Sequence, residues 1–283
     1  MINPAREGGG AGRLTADERV CLEQNGYVVR ENVFTPKEVA DITTACENLV
    51  LRFVQERRRR RYHIGSYTFE PNNEHAIMIK WEGDTDIVHG LEPFAHLDPV
   101  LKAWAHDRRF LEPMCDFVGD PHPSLFTEKL NLKRPGIGGV NPMHQDYPYW
   151  IGEAKDPARV ATAMLFLDDA TLENGCLHVA PGSHRDGQWR KRTDSDEFGA
   201  NEIDQSAYKD VVMQPLPLKA GSMVMFGSLL VHSSEQNRSQ FNRRALLFSY
   251  QPAGLPHMVE KMLADIEARR REKAQREATA GSR

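Results

Sequence analysis

A histidine and an aspartate stand two positions apart in the segment NPMHQDYPYW, residues 141–150. In a β-strand, residues i and i+2 point to the same side, so His144 and Asp146 converge while Gln145 points away. Both converging side chains are common metal ligands, and the spacing therefore predicts half of a metal site. So short a match also arises by chance, and a polar pair at a strand end is the alternative interpretation.

A second histidine, His232, follows the apolar run MVMFGSLLV, which predicts a strand that carries it into a sheet interior. Two histidines and one carboxylate on one face of an octahedral metal leave three positions open, which suits non-haem Fe(II) and its oxygen chemistry. Zinc hydrolases use the same residue types but need only one open position for water. Both metals fit these three residues alone.

A cationic residue, Arg243, lies eleven positions after His232, at the start of the next predicted strand. A hairpin between the two strands would bring its guanidinium back toward the metal, where the fork can hold a carboxylate bidentately. Such a partner fits the far carboxylate of a keto-acid co-substrate, which a zinc hydrolase does not need. Arg244 would point to the opposite side. The alternative is a solvated strand start.

Composition limits the class of protein to which these residues belong. The chain has 283 residues, 40% of them hydrophobic and 27% charged, with a net charge of -4. We therefore expect a globular cytoplasmic protein with no nucleic-acid partner and no membrane span. The cysteines are scattered without a CxxC pair, so we expect reduced, mostly buried thiols; they are Cys21, Cys46, Cys115 and Cys176.

The first half of the chain predicts helices around one short strand. Residues 1–13 are Gly-rich and predicted to be disordered. A capping box at Thr15 and Glu18 starts one helix, and Thr35 with Pro36 starts a second. The run Arg57–Arg61 suits either a phosphorylated substrate such as a CoA ester or a solvated helix end. Residues 62–92 look like an irregular, lid-like segment, and a helical stretch is predicted over 99–118.

The pattern changes at residue 124, where successive strands follow one another without intervening helices. This order predicts an antiparallel sandwich or barrel over about 124–252, with a polar inserted surface loop over residues 184–210. We expect a single domain over residues 14–258. Residues 259–283 are predicted to form a C-terminal helix that frays into a polar tail.

The segments HQD, ENGCLHVAPGSHRDG and VHSSEQNRSQFNRRAL together resemble the phytanoyl-CoA dioxygenase family of iron(II)- and 2-oxoglutarate-dependent oxygenases. The segment LEQNGYVVRENVFTPKEVADI is also similar to that family, and the resemblance covers most of residues 20–255. It implies a mainly β fold, with a double-stranded β-helix (jelly-roll, cupin-like) core and flanking helices. It also implies hydroxylation of a small molecule with release of succinate and CO2. Fe(II), 2-oxoglutarate and O2 would be required, and ascorbate would be stimulatory.

The resemblance also assigns roles to individual residues. It implies that His144, Asp146 and His232 ligate iron and that Arg243 binds the 5-carboxylate of 2-oxoglutarate. Further co-substrate contacts are expected from Lys129, Asn131 and Thr162, with a plain strand face as the alternative. Asp146 argues against a halogenase, because related halogenases lack this carboxylate. The expected substrate contacts are Tyr147, Tyr149 and Trp150 after the motif, and Lys80 and Trp81 in the lid-like segment.

Three interpretations of the site are therefore possible from the sequence. The first is a dioxygenase acting on a small molecule, as a monomer or homodimer. The second is a metal-dependent hydrolase on a cupin-like barrel, and the third is a non-catalytic binding protein with the same fold. The arginine eleven residues beyond His232 and the complete set of three ligands favour the first. The identity of the prime substrate does not follow from the sequence.

Overall fold

The computed structural model describes residues 12–56, 61–64, 67–192 and 201–280. Thr15 and Glu18 form the predicted capping box: the Thr15 hydroxyl accepts from the Glu18 N–H, and the Glu18 carboxylate accepts from the Thr15 N–H. The helices are α1 (Ala16–Asn25), α2 (Pro36–Glu56), α3 (Pro99–Trp104), α4 (Arg108–Val118), α5 (Tyr147–Trp150) and α6 (Met258–Ala280).

Within the described residues, thirteen strands form two antiparallel sheets. The nine-stranded sheet has the order β1-β11-β8-β13-β6-β5-β4-β3-β2, and the four-stranded sheet has the order β10-β9-β12-β7. The strands are β1 (Tyr27–Arg30), β2 (Tyr62–Ile64), β3 (Tyr67–Asn72), β4 (Ile77–Glu82), β5 (Val88–Glu92), β6 (Ser124–Lys133), β7 (Asn141–His144), β8 (Ala161–Phe166), β9 (Leu177–Val179), β10 (Gln214–Leu216), β11 (Met223–Gly227), β12 (His232–Ser234) and β13 (Arg243–Gln251).

Alternation along the strands divides the core into two layers. In β11, Met223 and Met225 pack with helices α2 and α4 on the outer face of the large sheet. Val224 and Phe226 face the other way, into a cluster that includes Val179 of the small sheet. Because neighbouring residues of a strand point to opposite faces, one sheet buries its outer face under helices and encloses a space with its inner face. The predicted mainly β fold with flanking helices is confirmed.

The expectation of an irregular segment over residues 62–92 is wrong. Four strands, β2 to β5, pair there and extend the large sheet beyond β6. In β4, Ile77, Ile79 and Trp81 are buried while Met78 and Lys80 are half-buried, which is a period of two. The sequence does not reveal this alternation because the strands are short and because one face of the sheet lines a cavity. The residues on that face include polar ones, so no second apolar layer marks the strands.

Three further boundaries differ from expectation. His232 does not end strand β11; a turn, closed by a bond from the Leu230 N–H to the Gly227 carbonyl, separates them, and His232 begins β12 in the other sheet. The helical stretch over 99–118 is two helices, because Asp107 caps a new one. The C-terminal helix continues to Ala280.

Some expectations fall outside the described residues. Most of the Arg57–Arg61 run lies there, as does most of the N-terminal tail. Arg61 is described, and it is paired with the Glu70 carboxylate at 3.1 Å and lies over the Trp81 ring. Within the described part of the chain, no helix combines the length and the apolar character that a membrane span needs.

Candidate metal centre and co-substrate pocket

Pairing between strands β7 and β12 places the two histidines side by side. His144 and His232 are Cα partners in the register of these strands, and their ring centroids lie 4.2 Å apart. Asp146 lies two residues beyond the end of β7, with its carboxylate 3.9 Å from Nε2 of His144. The potential ligand atoms of the three residues all lie within 4.8 Å of one another. The register therefore brings together residues that are 88 positions apart in sequence (232 − 144).

Backbone carbonyls set the orientation of both imidazoles. Nδ1 of His144 donates to the Pro142 carbonyl at 2.6 Å, and Nδ1 of His232 donates to the Leu230 carbonyl at 3.0 Å. A carbonyl can only accept, so Nδ1 carries the proton and Nε2 keeps its lone pair for a metal. Burial, with the neighbouring His232, lowers the pKa of His144 to about 3, so this ring is neutral near pH 7.

Gln145 points away from the two ligands and anchors the segment between them. Its side chain is buried and donates to the Gly187 carbonyl at 2.8 Å and the Leu229 carbonyl at 2.7 Å. Its oxygen accepts from the Trp189 N–H at 2.8 Å. Three bonds to two loops hold the chain so that His144 and Asp146 face the same space on the opposite side.

Arg243 enters the same space as a buried cation without a partner. It is 1% exposed, and its Nε and Nη1 atoms have no hydrogen-bond partner in the described structure. Burial lowers the pKa of this guanidinium to about 10, which leaves it charged at neutral pH. An unpaired buried guanidinium is unfavourable unless an anion binds it. Arg244 points the other way and pairs with Asp168 at 2.6 Å and Glu47 at 2.9 Å.

A cavity of about 580 Å³ is lined by both histidines, Asp146 and Arg243. The predicted co-substrate residues Lys129, Asn131 and Thr162 also line it. The Thr162 hydroxyl shares a hydrogen bond of 2.8 Å with the Ser249 hydroxyl, and Lys129 pairs with Glu92 at 3.1 Å. The donor set, the neutral imidazole and the unpaired arginine all fit a divalent metal that shares the cavity with a carboxylate ligand.

The expected substrate contacts divide into two groups. Tyr149, Trp150 and Lys80 line the cavity, and the Tyr149 ring lies edge-on to His144 at 5.9 Å between centroids. Trp81 is fully buried in the helix-side core and does not line the cavity, so its assignment is corrected: it points to the face of β4 opposite to that of Lys80. Tyr147 is also not among the lining residues, because the turn into α5 directs it elsewhere.

Several lining residues were not predicted from the sequence. Ser249 lies six positions beyond Arg243 on β13, and strand alternation could have identified it. Glu202, within the predicted inserted loop, forms an isolated β-bridge with His144, and Met258 and Met262 reach the cavity from α6. No local sequence signal marks these last three, because they arrive from distant segments.

Comparisons with known proteins agree with this geometry. The family model for phytanoyl-CoA dioxygenase (PhyH) matches residues 22–245. A phytanoyl-CoA dioxygenase of Arabidopsis thaliana is 24% identical over 254 residues, covering 83% of this chain and 87% of the relative. Phytanoyl-CoA dioxygenase domain-containing protein 1 of Rattus norvegicus is 28% identical over 250 residues, covering 84% of this chain and 83% of the relative.

Two solved structures share the fold. EctD from S. alaskensis, solved with 2-oxoglutarate and 5-hydroxyectoine, superposes with a TM-score of 0.66 at 20% identity, over 89% of this chain and 80% of that one. The non-haem α-ketoglutarate-dependent carbocyclase SnoK from nogalamycin biosynthesis gives 0.63 at 21% identity, over 88% of each chain. With the family match spanning most of its length, the chain belongs to the phytanoyl-CoA dioxygenase family.

Proposed function

We propose that this protein is a non-haem Fe(II)- and 2-oxoglutarate-dependent dioxygenase that hydroxylates a small molecule and releases succinate and CO2. The family to which the chain belongs supports the reaction class, and the ligand cluster supports the metal. His144, Asp146 and His232 would hold Fe(II), which supplies the redox chemistry that activates oxygen when it is bound. The two imidazoles and one carboxylate leave one side of an octahedral ion free for exchangeable ligands.

The observation that carries the proposal is the unpaired guanidinium of Arg243. It lies in the cavity that the three ligands share, and Nε and Nη1 have no partner in the described structure. A dicarboxylic keto acid has one end that can chelate a metal and a second carboxylate at the other end. Arg243 would receive that second carboxylate in a bidentate, charge-assisted contact. The Thr162 and Ser249 hydroxyls line the same cavity and offer further donors.

The alternatives explain less of the site. A hydrolase on this fold would need the metal and water, and it would leave Arg243 buried without a function. A binding protein without catalysis would not require two imidazoles whose Nε2 atoms are kept unprotonated. The carboxylate of Asp146 occupies the place where a halogenase would accept chloride, so hydroxylation is favoured over halogenation.

The predicted setting is a cytoplasmic monomer or homodimer without a nucleic-acid partner. All four cysteines are free, and Cys46, Cys115 and Cys176 are buried. Free thiols suit a reducing compartment, which supports the cytoplasm as the proposed location.

Turnover of the co-substrate tests the proposal. The protein would be incubated with Fe(II), ascorbate and 2-oxoglutarate, and oxygen uptake and succinate would be measured together. We expect slow, Fe(II)-dependent succinate formation even without a prime substrate, with zinc unable to replace Fe(II). Succinate formation that is the same without added Fe(II), or its absence across a broad panel of small molecules, would contradict the proposal.

A further inference from the structure

The cavity holds a second cation, Lys80, that has no anionic partner among the described residues. We call the part of the cavity beside Lys80 the far end. Four cationic side chains line the described cavity: Lys80, Lys129, Lys261 and Arg243. Lys129 is paired with Glu92 at 3.1 Å and Lys261 with Glu153 at 2.7 Å. Arg243 lines the same cavity as the metal ligands and is assigned to the co-substrate. Lys80 is left, and among the described residues its ammonium has no carboxylate within ion-pair distance and no hydrogen-bond acceptor.

Aromatic rings hold the Lys80 ammonium in place. Its Nζ atom lies 3.4 Å from the centroid of the Tyr67 ring and 5.9 Å from that of Phe69. Both rings line the cavity. Contact with aromatic faces stabilises a cation modestly, but it provides no acceptor for the three N–H donors of an ammonium. Burial, together with Lys129, lowers the pKa of Lys80 to about 7, while the charges of Glu82, Glu92 and Glu202 act in the opposite direction without pairing with the ammonium. An anionic ligand beside this side chain would favour its charged form.

The cavity is continuous between Lys80 and the metal end. Lys80 pairs with Gly90 of strand β5, and Gly90 pairs with Asn131 of strand β6, so the three residues form one row across the sheet. Two strand spacings put Lys80 roughly 9.5 Å from Asn131 along this row. Gly90 lies between them and also lines the cavity. A Cβ atom at this position would lie 3.0 Å from the Leu130 carbonyl oxygen, which favours glycine here.

The volume and the remaining walls limit what the far end can hold. The cavity of about 580 Å³ equals roughly 19 water volumes. A co-substrate of about ten non-hydrogen atoms leaves room for a second molecule of similar size within the walls. Met78 and Leu91 from the sheet and Met258 and Met262 from α6 make much of the remaining wall apolar.

We infer that the prime substrate is a small monocarboxylate, with its carboxylate on the Lys80 ammonium and its apolar body between the cavity's methionines and the metal end. This inference rests on the proposed function, since it assigns the near end of the cavity to the co-substrate. Lys80 thereby selects for the charged head of the substrate.

Matched pairs of probes test the inference by binding. Hexanoate and hexanamide, and 3-phenylpropanoate and 3-phenylpropanamide, would be titrated calorimetrically into the full chain with Mn(II) and 2-oxoglutarate. Each amide has the size of its acid without the charge. We expect the acids to bind at least tenfold more tightly than the amides. In Lys80→Met this preference should fall below twofold, and in Lys80→Arg it should persist because the charge is kept.

Lys261→Met is the matched control, because Lys261 lines the same cavity but is already paired; it should keep the preference for acids. Equal binding of acids and amides, binding of neither, or a preference that survives in Lys80→Met overturns the inference. So does a weaker affinity of Lys80→Met for 2-oxoglutarate, which would assign Lys80 to the co-substrate. Selective binding of acids without any succinate formation would instead contradict the proposed function and leave the inference standing.

Discussion

At the scale of single residues, the site depends on where protons and charges are placed. His144 and His232 both donate Nδ1–H to a carbonyl two residues earlier, which leaves two Nε2 lone pairs in the cavity. Asp146 adds the one negative charge of the ligand cluster. Arg243 and Lys80 add two cations without carboxylate partners in the described structure. The arrangement is therefore suited to a cationic metal at its centre and to anionic ligands around it.

Removing the carboxylate of Asp146 should release the metal. We expect Asp146→Ala to lose at least tenfold in affinity for Fe(II), because two neutral imidazoles without a charged ligand bind a divalent ion weakly. Metal content after dialysis, measured by atomic emission, checks this. Asp156→Ala removes an exposed carboxylate outside the cavity and should retain metal. Equal metal content in the two variants would remove Asp146 from the ligand set.

We expect the two adjacent arginines to have different roles: Arg243 binds 2-oxoglutarate, and Arg244 stabilises the fold. Arg243→Met should raise the KM for 2-oxoglutarate about 10- to 100-fold, the effect of a lost charge-assisted contact of about 1.5–3 kcal/mol. Arg244→Met should leave that KM within about twofold. It should lower the free energy of unfolding by about 1–3 kcal/mol, because it leaves the half-buried Asp168 and Glu47 without this partner. Initial rates and urea unfolding measure both. A similar rise in KM in both variants would show that the wrong arginine has been assigned.

At the scale of elements, the register between strands brings residues that are distant in sequence together into the site. The i, i+2 spacing of His144 and Asp146 was enough to predict a shared face. The pairing of β7 with β12 could not be read from the chain, because the turn before His232 looks like more of the preceding apolar strand. Strands β2 to β5 were missed for a different reason: every second residue faces a cavity, and several of these residues are polar. That alternation also explains why Lys80 lines the cavity and Trp81 does not.

Helix α6 closes one side of the cavity, and its first turn is held by a buried contact. His257 donates from Nε2 to Glu128 at 2.7 Å, and its Nδ1 accepts from the Val259 N–H at 3.1 Å. Glu128 is fully buried and also accepts from the Phe94 N–H. We therefore expect His257→Ala to loosen the start of α6 and the wall formed by Met258 and Met262.

Hydrogen–deuterium exchange measures this effect. Amides of residues 258–264 should exchange at least several-fold faster in His257→Ala, while those of β13 stay unchanged. His106→Ala is the control, since His106 is exposed and only contacts its own helix turn through the Lys102 carbonyl. Unchanged exchange at the start of α6 would show that packing alone holds it there.

At the scale of the whole molecule, two sheets enclose one cavity and helices cover the outer face of the larger sheet. The family resemblance and the strand order from residue 124 predicted this fold and the four site residues His144, Asp146, His232 and Arg243. The shape of the cavity was not predictable, because its walls come in part from β3 to β5, from α6 and from Asn201 and Glu202 of the predicted inserted loop. Such long-range contacts leave no periodic pattern within any one segment.

Acid stability tests how the outer helices are joined. Arg109 in α4 pairs with Glu38 in α2 at 2.8 Å, and this contact lowers the pKa of Glu38 to about 2. A carboxyl whose pKa is depressed by folding stabilises the native state above its ordinary pKa of 4.5, and this stability is lost as the pH falls toward 2. After screening by solvent, Glu38→Gln should lower the free energy of unfolding by about 1 kcal/mol at pH 7.

Urea unfolding from pH 7 to pH 2 would follow the difference between wild type and Glu38→Gln, which should shrink below pH 4.5 and vanish near pH 2. Lys37→Gln, which removes a highly exposed ion pair in the same helix, should match wild type throughout. A difference that stays constant with pH would mean that Glu38 acts through packing and not through its charge.

The central claim is that one cavity holds a metal and 2-oxoglutarate together, with Arg243 as the anchor. Calorimetric titration of 2-oxoglutarate into the full chain, with and without Mn(II), tests it most directly. We predict one molecule bound per chain, with affinity that requires the metal and falls about 10- to 100-fold in Arg243→Met. Equally tight binding without the metal, or in Arg243→Met, would contradict the account.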